Sequence, residues 1–295
     1  MAVYGGIELG GTKTVCVVGT GPGAIADRLR IPTAGPHETL ERAVAFLAGQ
    51  DPPVEAVGIA AFGPLDLDPA SATFGSVART PKRGWSGAPV RAIVADAIGV
   101  PVAIQMDVGA AAIAEWRWGA ASGVGVAVYI TVGTGIGAGI VVDGQLLHGL
   151  VHPEFGHVPV GRDPADTFAG VCRFHGDCLE GLASGPAVAA RTGVPGEQLA
   201  ADDRVWGLVA AYLGDALAGL ILTLAPGRIV LGGGVMDAPR LLAMVRQRIR
   251  LGLAGYLDHP ALTGDLTDLV VAPALGSDAG PLGAIAAAEA AASAR

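Results

Sequence analysis

The apolar positions of this chain fall into two similar halves. Near the start, VYGGIELGGTKTVCVVG (3–19) sets β-branched and apolar residues on both sides of Gly10 and Gly11, which predicts strand, glycine turn, strand. The segment VAVYITVGTGIGAGIVVDGQLL (126–147) repeats that design. Between the two, residues 36–49 carry Leu40, Val44 and Leu47 at helical spacing. Residues 54–62 read as a short apolar strand stopped by Gly63-Pro64, and 88–99 as an amphipathic helix closed by Gly99. Residues 100–107 form a buried strand ending on Asp107, followed by a helix over 110–121.

The second half predicts a long helix over 203–225 and a strand over 228–236 that enters the glycine turn LGGG (231–234). The helix PRLLAMVRQRIRLGL, a strand over 270–275 and a last helix over 277–292 follow. Residues 148–200 show no period and are rich in Gly, Pro and His, so they are expected to be irregular. Alternating strands and helices indicate an α/β protein. The repeated hairpin, heading each half, indicates two related α/β domains, 1–109 and 110–276, with the C-terminal helix 277–295 assigned to the first. No low-complexity linker joins them, so a hinge and a ligand cleft between domains are the expectation.

Composition narrows the function classes. The chain has 295 residues, 51% hydrophobic and 16% charged, with a net charge of −8 and no basic run. A nucleic-acid partner rewards clustered Lys and Arg, and is not expected. A small phosphorylated ligand remains compatible, because backbone amides hold phosphate without net positive charge. Three cysteines do not make a disulfide framework. The N-terminus lacks the basic start and apolar run of a signal peptide. Of the two most apolar stretches, 124–142 is interrupted by glycines, and 207–225 carries Asp215 at its middle, which is costly in lipid. The expectation is a cytoplasmic protein with no membrane segment, in which 207–225 is a core helix.

Three features carry candidate chemistry. The turns at Gly10, Gly11, Thr12 and Lys13 and at Gly133, Thr134 and Gly135 present backbone N–H groups, two hydroxyls and one ammonium to a phosphate. Neither turn fits the P-loop pattern, and either one alone is equally readable as an ordinary hairpin turn. Second, VCRFHGDCLEG (171–181) packs Cys172, His175 and Cys178 into seven residues, and His157 or His152 of HPEFGH completes a set of four nitrogen and sulfur ligands. That set suits structural Zn²⁺, which leaves no open position. The same ligation disfavours a catalytic metal. Cys16 lies among apolar neighbours in a strand and reads as a core residue. Third, Asp107 stands at the carboxyl end of a strand, where open α/β sheets bind ligands. It can serve there as a general base or simply cap the following helix.

Taken together, IELGGTK, FGPLD, MDVGAAA, ITVGTGIGAG, HPEFGH and CRFHGDCLEGLASGP resemble the ROK family of sugar kinases, from residue 4 to about 290. TPKRGW, LLHGLVHPEFGH and CRFHGDCLEG are most similar to its bacterial fructokinases. The resemblance implies two actin-like ATPase (ribonuclease H-like) domains and transfer of phosphate from ATP to a hexose, foremost D-fructose to fructose 6-phosphate, in a homodimer. It implies Asp107 as the catalytic base and Zn²⁺ on His157, Cys172, His175 and Cys178, with His157 also bordering the sugar. Glu154 and Glu180 would then meet sugar hydroxyls beside Gly63 and Pro64. The turns would hold the ATP phosphates, with Gly233 and Gly234 near the adenosine.

This chain departs from the family at two positions. Glu8 stands where an Asp usually ends the first strand, and would position hydrated Mg²⁺ from one methylene farther away. Gly109 stands where an Asn commonly follows the catalytic Asp by two residues. Mannose, glucose and N-acyl-hexosamines are alternative acceptors. A non-catalytic sugar-binding regulator is the alternative from another class; the family's repressors carry an N-terminal DNA-binding helical region, whereas this chain opens on its first strand.

Overall fold

The computed structural model describes residues 2–294 and divides into two compact units. The first comprises β1 (Tyr4–Leu9), β2 (Lys13–Gly19), β3 (Ile25–Pro32), α1 (Pro36–Ala48), β4 (Ala56–Ala61), α2 (Val90–Ile98), β5 (Val102–Met106) and α3 (Asp107–Trp118). The second holds β6 (Val126–Val132), β7 (Ile136–Val142), α4 (Leu179–Ala183), α5 (Gly185–Thr192), α6 (Arg204–Leu224), β9 (Arg228–Gly232), α7 (Leu241–Leu253), α8 (Pro260–Thr263) and β10 (Val270–Val271), with the short β8 (Gln145–Leu146) at its boundary. The chain then returns to the first unit as α9 (Ala279–Ser293).

The two sheets share one strand order. The first runs β3-β2-β1-β4-β5, and the second, read from β8, runs β8-β7-β6-β9-β10. In each, a glycine-turned antiparallel hairpin (β1–β2, β6–β7) is continued by two parallel neighbours. The repeated hairpin in the sequence is thus the start of a repeated sheet.

In the first unit the sheet faces differ in side-chain size. Ile7, Leu9, Cys16, Val57 and Ile59 pack with Leu40 and Leu47 of α1 and Val90 and Val94 of α2. Burial pushes the Cys16 thiol up to about 12, so this cysteine is an inert core residue. The opposite face is lined by small residues and covered by α9. A Cβ on Gly58 would lie 1.9 Å from the Ala284 carbonyl oxygen, and one on Gly283 would lie 2.0 Å from that of Ala110 in α3. These two glycines let α9 press its backbone against β4 and α3. An alanine-rich helix with no polar stripe can be buried only by such close approach on several sides, which is why Ala279 to Ala288 are all buried.

The unit boundary differs from the division expected at 109/110. Helix α3 stays with the first unit through Trp118, because it packs on α9, and Leu146–His152 also joins that unit. Helix α3 itself starts at Asp107 rather than 110. β3 has no counterpart in the apolar pattern; it is an edge strand whose Asp27, Arg28 and Arg30 point away from the core, as edge strands tolerate. The strand expected over 270–275 shrinks to Val270–Val271, since Pro273 cannot donate to a ladder.

In the second unit α6 is the core. Val209, Leu213, Leu217 and Ile221 are buried against α7 and the sheet. Among the described residues it is the one helix long and apolar enough to cross a membrane, yet most of its apolar window is buried by protein. Asp215 at its middle is paired with Arg248 of α7, at 2.7 and 2.8 Å.

The region expected to be irregular contains α4 and α5, and its loop is organised around Asp166. The Asp166 carboxylate, 4% exposed, receives both Arg191 terminal nitrogens at 2.6 and 2.7 Å and the Tyr212 hydroxyl at 2.6 Å. Arg162 donates to the carbonyls of Asp166 and Phe168, both at 2.6 Å, and to Asp177 at 3.1 Å. Arg191 also lies over the Phe168 ring, 4.1 Å from its centroid.

The hydrogen bonds from Arg191 hold the Asp166 carboxyl well below its usual range. A depressed folded-state pKa contributes stability that is present above the unfolded value, about 3.9, and lost as pH falls below it. Acidification from about pH 5 to 3 is therefore expected to destabilise the wild type more steeply than Asp166→Asn. At neutral pH the variant should lose about 3–5 kcal/mol, because Arg191 is left buried and unpaired. Urea midpoints across that pH range check both expectations.

Candidate active site

In the first unit, the β1–β2 turn brings backbone and charge together. Gly10 N–H donates to the Lys13 carbonyl at 3.0 Å, and a Cβ on Gly10 would crowd that oxygen at 2.8 Å, so the turn closes only on a residue without a side chain. Thr33 braces it from β3's end by donating to the Gly10 carbonyl at 2.8 Å. The ammonium of Lys82 donates to the Gly11 carbonyl, which adds a second cation beside Lys13. Gly11, Thr12 and Lys13 are exposed at the tip. Lys82 belongs to TPKRGW, where only its charge could have marked it.

Glu8, next to last in β1, sets its carboxylate against the first turn of α9. A Cβ on Gly280 would lie 2.3 Å from Glu8 Oε1, so the longer side chain found here occupies the room that Gly280 leaves. Burial raises the Glu8 pKa first of all; Lys13 opposes the rise and Asp107 adds to it. Two carboxylates thus share one electrostatic neighbourhood with Lys13, and Arg28 with its partner Asp278, 2.8 Å apart, contributes from farther out. A half-buried carboxylate beside a second one fits a hydrated divalent cation, which would offset both burial and repulsion.

Asp107 opens α3 at the end of β5, and its Oδ1 accepts the Val108 N–H at 2.8 Å. Asp107 is thus the first residue of the helix rather than the cap preceding one that starts near Gly109, and its carboxylate takes up one N–H of the first turn. Gly63 abuts Met106: a Cβ there would lie 2.5 Å from the Met106 methyl carbon, which places the Gly63-Pro64 turn one residue from Asp107. Gly109 is buried, and the space a side chain would need is held by Leu146, 3.2 Å from its Cβ position.

In the second unit, the β6–β7 turn is held from outside. Gly185 N–H donates to the Gly133 carbonyl at 2.8 Å. Glu180 Oε2 accepts the Ile136 N–H at 3.0 Å, and a Cβ on Gly135 would fall 2.7 Å from that same oxygen. Thr134 is exposed at the tip. Gly233 has φ +93°, and a Cβ on it would strike the Val132 backbone at 2.4 Å, so β9 can turn beside β6 only at glycine. Gly234 opens a short turn, Gly234–Asp237, before α7, which begins at Leu241 rather than Pro239.

These turns border one cavity of about 820 Å³ within the second unit. Gly133 and Thr134 form one end, Gly234 to Pro239 another, and Gly185, Pro186 and Ala189 of α5 a wall, with Trp206 beneath. Its size and mostly apolar lining with a few polar groups suit a nucleotide. The sequence assigns no role to Gly185, Pro186 or Trp206: the Gly-Pro pair marks a turn or helix start, and Trp206 carries no local signature.

The sulfur and nitrogen ligands converge on one point. Cys172 Sγ lies 3.7 Å from His157 Nδ1 and 3.8 Å from His175 Nδ1, and Cys178 Sγ lies 3.6 Å from His157 Nδ1. All four ligand atoms fall within 4.8 Å of one another, and His152 is not among them. A tetrahedron with Zn–S of about 2.3 Å and Zn–N of about 2.0–2.1 Å has S···N edges of about 3.6 Å. The donor set and its spacing therefore fit zinc. Reciprocal hydrogen bonds between Cys172 and Gly176 close the loop at 3.2 and 2.8 Å. Glu154 precedes the turn Phe155–His157 and is exposed, and its carbonyl accepts the His157 N–H at 3.0 Å.

Comparison with known proteins places this architecture. The ROK family model matches residues 4–291. A protein of Bacillus subtilis described as a putative fructokinase is 45% identical over 96% of this chain and 94% of its own length. The fructokinase of Pediococcus pentosaceus is 38% identical over 98% of both chains. Among solved structures, a ROK family glucokinase from Streptomyces griseus in complex with glucose and AMPPNP is 29% identical, with a TM-score of 0.77 over 98% of this chain and 100% of that one. The paired sheets of identical strand order are those of the actin-like ATPase fold. With the match spanning both hairpins, the His/Cys quartet and the helix that returns to the first unit, the chain belongs to the ROK family.

Proposed function

We propose that this protein transfers the γ-phosphoryl group of ATP to a hexose, with D-fructose as acceptor and fructose 6-phosphate as product. The observation that carries the choice of sugar is the gradient of likeness: 45% and 38% identity to proteins named fructokinase, against 29% to a glucokinase, over nearly the whole chain in each case. Such transfer needs positioning and neutralisation of charge rather than covalent help from the protein. In this reading the second-unit cavity takes the nucleotide, Gly233 and Gly234 lie near its adenosine, and the turns at 10–13 and 133–135 face its phosphates. Glu8 would hold hydrated Mg²⁺, which supplies charge neutralisation at the phosphates.

Asp107 takes the proton of the acceptor hydroxyl as that oxygen attacks the γ-phosphorus, and ADP leaves. Glu154, His157 and Glu180 border the sugar with Gly63 and Pro64. Glu180 keeps Oε2 on the Ile136 amide, so a sugar hydroxyl draws on the remaining acceptor capacity of the carboxylate. Zinc on His157, Cys172, His175 and Cys178 is structural and supplies rigidity alone. We further read the protein as a cytoplasmic homodimer.

A coupled ADP-release assay over fructose, mannose, glucose and N-acetylmannosamine should give its highest kcat/KM with fructose; a preference for any other sugar overturns the acceptor, and binding without turnover on all four favours a regulator. Asp107→Ala should lower kcat by about 10²–10⁴-fold while nucleotide affinity holds, and near-parental turnover would remove Asp107 from the role of base. Elemental analysis should find one zinc per chain, lost in Cys172→Ser together with a fall in melting temperature. Full stability of that variant, or protein free of zinc, would end the structural-metal reading.

A further inference from the structure

Glu180 stands at a junction that its position beside a sugar does not require. It lies two residues beyond Cys178, on the five-residue helix α4 whose N-cap is that cysteine. Its Oε2 accepts the Ile136 N–H at 3.0 Å and sits where a side chain on Gly135 would otherwise be, 2.7 Å away. One turn later, Gly185 at the start of α5 donates to the Gly133 carbonyl at 2.8 Å. The short run 178–185 therefore touches the His/Cys quartet at one end and grips the β6–β7 turn at two points. Residues Gly185, Pro186, Val188 and Ala189 then form a wall of the cavity that Gly133 and Thr134 also border.

Helix α4 is seated in the core through Leu179, Leu182 and Ala183, and its start is tied to the segment that follows His157: Leu179 N–H donates to the Val158 carbonyl at 3.1 Å, and Cys178 bridges Pro159. Upstream of Cys178 the chain is a loop closed on itself through Cys172 and Gly176, with Arg173, Phe174 and His175 exposed. The quartet clamps the same junction from its other side, since His157 precedes Val158 and Cys178 precedes Leu179, so the fine setting of Glu180 draws on both the core seat of α4 and the hold on Cys178. A carboxylate on a backbone amide is a charge-assisted hydrogen bond, stronger than a neutral one and demanding in geometry. A shift of α4 by an ångström would lengthen it beyond usefulness.

We infer that Glu180 is a positioning residue that couples the metal quartet to the β6–β7 turn: filling the quartet clamps the start of α4, which the core already seats, α4 holds Glu180 on Ile136, and that bond sets the turn. With the nucleotide assignment given under Proposed function, on which this part rests, metal loading tightens nucleotide binding even though no ligand of the metal touches the cavity. Glu180→Ala removes the link. Glu180→Gln keeps an acceptor oxygen for the amide and preserves it in weakened form.

Amide hydrogen exchange of the 133–136 segment tests the link without any nucleotide. In the zinc-loaded protein the Ile136 amide should be protected, and chelation should remove that protection. Glu180→Ala should exchange rapidly with or without zinc, whereas Glu180→Gln should remain zinc-dependent. Calorimetric Kd values for AMPPNP should follow the same pattern, weakening by about 5–150-fold on chelation in the wild type and hardly at all in Glu180→Ala. Zinc-dependent protection that survives in Glu180→Ala, or protection in the wild type that chelation leaves intact, overturns the coupling. A turn that responds to zinc while AMPPNP affinity does not change would uphold the link and overturn the assignment of the turn to nucleotide, so the two failures are distinguishable.

Discussion

The geometry of the second unit depends on the convergence of four side chains from a segment with almost no regular structure. His157, Cys172, His175 and Cys178 bring ligand atoms to tetrahedral spacing. From that point α4 projects Glu180 onto the Ile136 amide, and α5 begins against Gly133. Upstream of α4 much of the loop is exposed and is held by directional contacts, whereas α4 itself is seated by burial of Leu179, Leu182 and Ala183. The Asp166 carboxylate supplies the second set, gathering Arg191 and Tyr212 from two helices. Ligand convergence and one saturated carboxylate do for this loop what a hydrophobic core does for the sheets.

The first unit rests on a different constraint, the room between backbones. Gly58 and Gly283 allow α9 to lie flat on β4 and α3, and the same helix presents Gly280 to Glu8. The C-terminal helix is thus both a core element and the floor under the carboxylate at the end of β1. Glu8 is half-buried, with its pKa raised by burial, eased by Lys13 and raised again by Asp107, a charge pattern that the proposed Mg²⁺ would relieve.

In both units the residues assigned to chemistry sit at the ends of strands or the starts of helices. Strands deliver Glu8 and the glycine turns, helix N-termini deliver Asp107 and Gly185, and the rigid sheets behind them set the spacing. The same small set of positions recurs in both halves, since one strand order is used twice.

Much of this was legible in the chain. The two hairpins announced themselves by β-branched runs around paired glycines, and the quartet by the close spacing of Cys172, His175 and Cys178, because turn chemistry and metal ligation are local in sequence. The choice of His157 over His152 was not local; the family resemblance implied it, and the turn at 155–157 brings that side chain to the other three. Nor could the pattern show β3, whose charged edge lacks an apolar period, or that α3 begins on Asp107 itself. The hold of Lys82 on Gly11, Asp166 on Arg191, Glu180 on Ile136 and Gly280 on Glu8 joins residues far apart in the chain. Such contacts are decided by tertiary packing, because a polar side chain's partner depends on which backbone atoms the fold brings within reach, and spacing along the chain does not encode that distance.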